Sequence, residues 1–304
     1  MKRILVIIVT VLFIFCAVSM AVTKFVYDGI FSRCDTSVQI PQALSETVAA
    51  RQVCAFPSGE NLLTGYYYAP PETVDKQGLI LFVPGFCASA DSYLWQIQAL
   101  TDYGWGVFSF DTTGTFSSQG ENQVGFSQSV PDLEAALKYV ENNRRFGYNK
   151  LVLMGHSRGA YAVCSILSQN WDVAAVVSVS GVNSAMDAVM EASRQKAGII
   201  SYGNYGFLWL YQALLFGTDT LGLQASESIS GQDVPVLLIH GTKDTRIPLS
   251  SSSIHAHREE ISADCVEYLL LEAGHTDLLF DADGTANDAL FRQIHEFLIR
   301  NTEK

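Results

Sequence analysis

The sequence predicts an α/β protein with a mostly parallel sheet and helices on both of its faces. Continuous apolar runs alternate with helical patterns from Leu79 to Arg300, as expected when each strand is followed by a crossover helix. The runs lack polar residues at every second position, which indicates strands buried on both faces. With 48% hydrophobic residues in 304, the chain has enough apolar material for such a sheet.

The N-terminus carries an apolar segment of its own. Lys2 and Arg3 precede an uncharged run from Ile4 to Val22, which is close to the shortest length that spans a bilayer as a helix. Positive charges before the run predict that the N-terminus stays inside and the rest is exported. We therefore expect residues 1–24 to be a signal anchor that makes a single pass through the cell membrane. The alternatives are secretion after cleavage near Ala21 or a merely buried helix.

Residues 25–50 are interpreted as a linker with some helical character. Two strand patterns follow, Gln52–Phe56 and Leu62–Tyr68, and the turn residues Pro57 to Glu60 separate them. This arrangement predicts an antiparallel hairpin at the start of the core domain, which we expect to comprise residues 51–182 and 233–304.

The remaining core elements follow from the alternation of patterns. Predicted strands are Leu79–Val83, Gly106–Asp111, Leu151–Met154, Val173–Val179, Val234–Ile239 and Val266–Leu271. Predicted helices are Ser92–Tyr103, Val130–Asn143, Arg158–Gln169 and Thr285–Arg300.

Residues 183–232 interrupt the alternation, since they hold helical pieces but no strand. We interpret them as a small helical cap inserted over the carboxyl ends of the strands. Their stretch from Ala197 to Thr218 is uncharged and aromatic, so Phe207 and Trp209 are candidates for contacts with an apolar substrate. A second membrane span here would put the strands of one sheet on opposite sides of the bilayer, and it is disfavoured for that reason.

The motif Gly155-His156-Ser157-Arg158-Gly159 lies directly after a predicted strand and directly before a predicted helix. This context is typical of a nucleophile elbow, in which a sharp turn lifts the serine hydroxyl clear of the sheet. The two glycines allow the strand and the helix to approach closely. The alternative is an ordinary turn in which Ser157 caps the helix.

A serine nucleophile needs a general base and a residue that orients the base. His275 follows the last predicted strand and Asp244 follows the preceding one, so both would lie beside Ser157 at the carboxyl edge of the sheet. The order Ser157, Asp244, His275 matches the order of the known triads on such sheets. Other candidates are Asp187, Asp233 and Asp277 for the acid and His156 and His240 for the base.

Acyl transfer also needs hydrogen-bond donors for the oxyanion that develops on the substrate. Pro84-Gly85-Phe86 follows the first core strand, and we expect the backbone N–H groups of Phe86 and Arg158 to converge on one oxygen. The alternative is a plain Pro-Gly turn.

Composition limits the other classes of function. Lys and Arg number 19 against 31 Asp and Glu, which gives a formal charge of −12. Because the basic residues form no cluster, we expect no nucleic-acid partner. The six cysteines form no Cys-x-x-Cys pair, so we expect no metal site and no cofactor. A bridge between Cys34 and Cys54 is allowed by the sequence but is not established by it.

Residues 53–300 resemble the α/β-hydrolase family, in particular its serine aminopeptidase and monoacylglycerol lipase-like branch. The resemblance is carried by the elbow and by Val83-Pro84-Gly85-Phe86, His240-Gly241-Thr242-Lys243-Asp244 and Ala273-Gly274-His275. It implies the α/β-hydrolase fold and a catalytic triad of Ser157, Asp244 and His275. Pro84 differs from the family, which usually has histidine there. The segment Asp111–Ser117 also lacks the arginine and second glycine that are usual after this strand.

The expected function is that of a membrane-tethered serine hydrolase with its catalytic domain outside the cytoplasm. Its substrate would be a small-molecule carboxylic ester with an apolar acyl group, cleaved through an acyl-enzyme. Two other classes remain open, a peptidase of the same fold and a catalytically silent binding protein.

Overall fold

The computed structural model describes residues 2–302 and contains one eight-stranded sheet in that range. Strands β1 (Gln52–Ser58) and β2 (Asn61–Tyr68) form the predicted antiparallel hairpin. The other strands are β3 (Gly78–Val83), β4 (Trp105–Phe110), β5 (Leu151–His156), β6 (Ala175–Val179), β7 (Val236–Gly241) and β8 (Val266–Leu271). Their order across the sheet is β1-β2-β4-β3-β5-β6-β7-β8. The last six strands are parallel, and β2 joins β4 antiparallel.

Helices cover both faces of this sheet, as predicted. In chain order they are α1 (Lys2–Ile30), α2 (Ser45–Ala50), α3 (Leu94–Asp102), α4 (Ser129–Glu141), α5 (Arg158–Ser165), α6 (Ala185–Ala197), α7 (Tyr205–Leu221), α8 (Ala225–Ile229) and α9 (Asp288–Thr302). Apolar side chains of α4, α5, α7 and α8 belong to one core. Those of α3 and α9 belong to a second core on the opposite face.

Some predicted boundaries differ from the structure. Strand β5 extends through Gly155 and His156, because both continue to pair with β6, opposite Ser178 and Val179. The final helix begins at Asp288 rather than Thr285, since residues 281–286 form a tight turn. Two backbone hydrogen bonds close it, from the N–H of Asp281 to the carbonyl of Thr285 (2.9 Å) and from the N–H of Asn287 to the carbonyl of Leu279 (3.0 Å). The α/β class and the parallel sheet are as predicted.

Helix α1 continues beyond its apolar run and packs on the globular part of the protein. Tyr27 is 2% exposed, and its hydroxyl donates a hydrogen bond to Gln212 on α7 (3.2 Å). Its ring lies 4.5 Å from that of Phe31, which is 3% exposed. The linker expected over residues 25–50 therefore differs from the structure, because α1 continues to Ile30 and Tyr27 packs against Tyr211 of α7 (5.4 Å between ring centroids). Phe31, just after the helix, packs against Phe86 (5.5 Å).

A disulfide links Cys34 to Cys87, with 5.7 Å between their Cα atoms. The Cys34–Cys54 bridge that the sequence allowed is absent. Cys54 lies in β1, where its sulfur is 3.5 Å from the carbonyl of Gly65 on β2. The disulfide instead fastens the chain after α1 to the loop that follows β3.

Candidate active site

Ser157 occupies the turn between β5 and α5, with φ 55° and ψ −114°. Such a conformation is costly for a residue with a side chain, and it is typical of functional turns. The flanking glycines make the turn possible. A Cβ on Gly155 would lie 2.4 Å from the backbone of Gly159, and one on Gly159 would lie 2.0 Å from the carbonyl oxygen of Val83. The strand and the helix thus approach so closely that only glycine, which has no Cβ, fits at positions 155 and 159.

Three predicted side chains meet at the carboxyl edge of the sheet. The Oγ atom of Ser157 is 2.9 Å from Nε2 of His275, and Nδ1 of His275 is 2.6 Å from Oδ2 of Asp244. Asp244 comes shortly after β7, and His275 comes shortly after β8. The structure therefore brings together the nucleophile, base and acid that were predicted from sequence order.

The surroundings of Asp244 favour its charged form. Burial alone would raise the pKa of this carboxyl, but hydrogen bonds from His240 and His275 outweigh that effect and hold the pKa well below its ordinary value. The backbone N–H groups of Arg246 and Ile247 also donate to Oδ1, each at 2.9 Å. An anionic Asp244 is the form that orients an imidazole and stabilises its cation.

The other candidate residues do not take the place of Asp244 or His275 beside Ser157. His240 donates from Nε2 to the carbonyl of Ile247 (2.9 Å), so it helps to shape the loop that carries Asp244. At the start of α6, the Ser184 hydroxyl donates a hydrogen bond to the Asp187 carboxylate (2.7 Å) and accepts one from the backbone N–H of Asp187 (3.0 Å). Among the residues that the structure describes, neither Asp233 nor Asp277 hydrogen-bonds to His275.

His156 supports His275 through a chain of hydrogen bonds that sequence analysis did not find. The backbone N–H of Gly85 donates to the hydroxyl of Tyr93 (3.0 Å), which donates to Nδ1 of His156 (2.8 Å). His156 then donates from Nε2 to the carbonyl of His275 (3.1 Å), and Ser180 donates to the same oxygen (2.9 Å). Burial lowers the pKa of His156 to about 3, so the ring stays neutral with one N–H.

The two predicted oxyanion donors, the backbone N–H groups of Phe86 and Arg158, lie beside this series of hydrogen bonds. Arg158 is the first residue of α5, so its backbone N–H has no acceptor within the helix. Within residues 2–302, neither this N–H nor that of Phe86 is engaged by another protein group. Phe86 precedes the disulfide residue Cys87, whose φ is also positive at 54°.

The side chain of Arg158 points away from the cavity, into the protein. It is 1% exposed, and its guanidinium donates to the carbonyls of Phe126 (3.0 Å) and Gly125 (2.6 Å) and to the Gln123 side chain (3.1 Å). Burial lowers its pKa to about 10, which still leaves it charged at neutral pH. The residue after Ser157 therefore anchors the loop 123–126.

A cavity of about 450 Å³ opens above Ser157. Its walls are mostly apolar and come from α1, the loop after β3, α6 and the segment after His275; they include Ile30, Phe31, Phe86, Phe126, Val189 and Phe280. Among the described residues that line it, Arg246 is the one Arg, Lys, Asp or Glu.

The predicted cap contacts Phe207 and Trp209 are not part of this wall. Phe207 packs against Phe15 of α1, with 6.2 Å between ring centroids, and Trp209 is 41% exposed. Leu208, Tyr211 and Gln212 form the buried face of α7, which turns the two aromatic residues away from Ser157.

Comparisons with known proteins agree with the overall fold. The family model described as serine aminopeptidase, S33 matches residues 74–202, a range that includes β3 to β6 and Ser157. The esterase Pf2001 of Pyrococcus furiosus superposes with a TM-score of 0.66 over 88% of this chain and 99% of its own, at 19% identity. The chain has the α/β-hydrolase fold. The fold that the sequence motifs implied is confirmed.

Two other solved structures share the α/β-hydrolase fold with this chain. Est1E of Butyrivibrio proteoclasticus with bound ferulic acid has a TM-score of 0.62 at 14% identity, over 83% of this chain and 100% of its own. The acylaminoacyl peptidase of Pyrococcus horikoshii has a TM-score of 0.59 at 18% identity, over 84% of this chain but only 42% of its own. A comparison with curated proteins finds no significant match.

Proposed function

We propose that the protein is a serine hydrolase that works through an acyl-enzyme. The observation that carries the proposal is the pair of short contacts, 2.9 Å from Ser157 Oγ to His275 and 2.6 Å from His275 to Asp244, at the floor of an open cavity. A catalytically silent binding protein has no need for this alignment. The esterases and the acylaminoacyl peptidase of the same fold also support a hydrolase.

In the proposed mechanism, Ser157 attacks the substrate carbonyl while His275 takes the serine proton. Asp244 stabilises the imidazolium, and the backbone N–H groups of Phe86 and Arg158 stabilise the oxyanion. His275 then gives the proton to the leaving alcohol, and an acyl group remains on Ser157. A water molecule, activated by the same histidine, releases the acid and restores the serine.

We propose a carboxylic ester with an apolar acyl group as the substrate. The walls of the cavity are mostly apolar, as in pockets that bind hydrocarbon groups. An aminopeptidase needs a carboxylate for the substrate ammonium, but no Asp or Glu is among the described residues that line the cavity. Arg246 would instead repel that ammonium.

We also propose that α1 anchors the protein in the cell membrane, with the catalytic domain on the extracytoplasmic side. Among the described residues, α1 is the one helix long and apolar enough to cross a bilayer, with a mean hydropathy of 3.0. The paired charges at Lys2 and Arg3 support this orientation, and the Cys34–Cys87 disulfide fits an oxidising compartment. Secretion after signal cleavage is the alternative.

The proposal is tested by labelling with a fluorophosphonate and by turnover of p-nitrophenyl esters of graded chain length. The wild type should be labelled on Ser157 and should cleave esters faster than aminoacyl or N-acyl-aminoacyl anilides. Ser157→Ala should lose labelling and turnover, whereas the exposed Ser168→Ala should keep both. A label on another serine would refute the assignment, and faster cleavage of the anilides would identify a peptidase.

A further inference from the structure

A second cavity, of about 260 Å³, lies between α1 and the helices of the 183–232 segment. Val22, Val26 and Ile30 of α1 line one side, and Val189, Ala192 and Leu208 line the other. Three of these residues, Ile30, Val189 and Ala192, also line the cavity above Ser157. The two spaces therefore adjoin, and together they extend from the proposed nucleophile to the N-terminal helix.

Apart from the half-buried Ser193 and the exposed Lys196, the polar residues that line the second cavity form hydrogen bonds within the protein. Asn204 donates to Oγ1 of Thr23 (2.9 Å), which donates to the carbonyl of Ser19 (2.8 Å). Ser201 donates to the carbonyl of Gly198 (2.8 Å). A polar ligand would find few hydrogen-bond partners here. A hydrocarbon chain would instead remove from water the apolar surface of both walls, α1 and the helices of the 183–232 segment.

The second cavity also begins where the apolar run of α1 ends. Val22 is the last residue of that run, and Lys24 with Asp28 forms an ion pair one turn further on (2.6 Å). The start of α7 contacts the apolar run itself, since Phe207 lies against Phe15. One end of the second cavity is thus next to the segment that would lie in the bilayer.

We propose that this second cavity is a subsite for the acyl chain of a membrane lipid, with α1 as one wall. A long-chain acyl ester would move from the bilayer along α1, place its chain between α1 and α7, and present its carbonyl to Ser157. The inference rests on the proposed function, because it assigns a substrate class to the same nucleophile. It gives α1 a role in substrate binding in addition to anchoring.

The first test narrows the second cavity and compares chain lengths. Leu208→Trp fills the space between α7 and α1, and the matched control Leu214→Trp adds the same ring on the same helix at a side chain that is 71% exposed. For Leu208→Trp, the ratio of kcat/KM for dodecanoyl over butanoyl esters should fall about ten-fold or more, the cost of losing contact with two methylene groups. The control should keep the wild-type ratio. An unchanged ratio in Leu208→Trp, with esters still cleaved, would overturn the subsite and leave the proposed function standing.

The second test reads binding without turnover. The full-length Ser157→Ala variant in phosphatidylcholine vesicles is irradiated with a monoacylglycerol that carries a diazirine in its acyl chain, and the modified residues are identified by mass spectrometry. Crosslinks on Val26, Leu208 or their neighbours in the second cavity, reduced in Ser157→Ala/Leu208→Trp, would support the subsite. Crosslinks confined to the exposed face of α7 or to residues 4–21 of α1 would overturn it. Failure of the proposed function would instead be seen as absent ester turnover in the wild type.

Discussion

At the scale of single residues, Tyr93 and His156 act on the site without contacting the reacting atoms. Their hydrogen bonds connect the backbone of Gly85, next to one proposed oxyanion donor, to the backbone of the proposed base, His275. Because His156 is neutral and fully engaged, it holds the position of the base without competing for the serine proton. We regard both as positioning residues.

Tyr93→Phe tests this role. The change leaves the N–H of Gly85 and Nδ1 of His156 without partners, which should cost about 1–3 kcal/mol of stability. We expect kcat to fall by roughly ten-fold with little change in KM, since the loss affects alignment in the transition state. Tyr103→Phe, at a half-buried tyrosine that stacks on His295 of α9 (4.4 Å between ring centroids), is the control. Loss of stability with an unaltered kcat would show a purely structural role.

Asp244→Asn tests the acid. The amide favours the wrong tautomer of His275, so kcat should fall by about 10⁴-fold while the fold is retained. Steady-state kinetics and circular dichroism measure the two effects. Asp277→Asn is the matched control. Greater loss in Asp277→Asn than in Asp244→Asn would mean that the acid is misassigned.

Asp111 provides a pH-dependent prediction. Burial raises its pKa from 3.8 to about 6, although Tyr66 and the N–H of Ser117 donate to it. Because the folded pKa lies above the unfolded one, the contribution to stability is complete below about pH 4 and is lost as pH rises through 6.

Asp111→Asn stays neutral throughout, so its stability relative to wild type should increase between pH 4 and pH 8, by roughly 3 kcal/mol at most. Urea unfolding at the two pH values measures the difference. A constant difference would contradict the raised pKa.

At the scale of elements, the loop after β3 is held by the Cys34–Cys87 disulfide next to Phe86. Replacing both cysteines by serine should cost about 2–4 kcal/mol, because the bond restrains the unfolded chain. It should also lower kcat, since the N–H of Phe86 loses a nearby restraint. Cys54→Ser removes a free thiol and should change neither property. Equal loss in both variants, measured by thermal unfolding and ester turnover, would contradict this role.

The sequence predicted the elements whose identity depends on local pattern. The apolar runs of the strands, the glycines around Ser157 and the order of Asp244 and His275 were sufficient for the sheet and for the proposed triad. The disulfide was missed, since pairing depends on which loops approach one another in space. Tyr93 and His156 were missed as partners of His275 for the same reason.

The cap contacts show a further limit. Phe207 and Trp209 were chosen for their aromatic character, but Leu208 faces the second cavity. Which side of α7 turns inward depends on its packing against α1, and α1 was expected to end before that contact. The sequence pattern of α7 does not show this packing, so it could not identify the inward side.

At the scale of the whole molecule, the position of α1 predicts two different outcomes of truncation. Removing residues 1–22 keeps Tyr27 and Phe31 in place, so a soluble product that cleaves short esters is expected. Removing residues 1–31 uncovers the core beside α7, and burial of each aromatic side chain is worth about 1.5–3 kcal/mol. The longer deletion should lower the unfolding temperature and the turnover of butanoyl esters, and the shorter one should not. Equal stability of the two products would mean that α1 is not part of the fold.

Under the proposed membrane anchoring, the disulfide has a consequence for how the protein withstands proteolysis. Cys34 lies just beyond α1, and Cys87 lies within the catalytic core. If a protease cuts the backbone anywhere between residues 35 and 86, the fragment that contains α1 remains covalently joined to the rest through the two sulfurs. With α1 in the membrane, such a nick would not shed the enzyme into the medium until the bond was reduced.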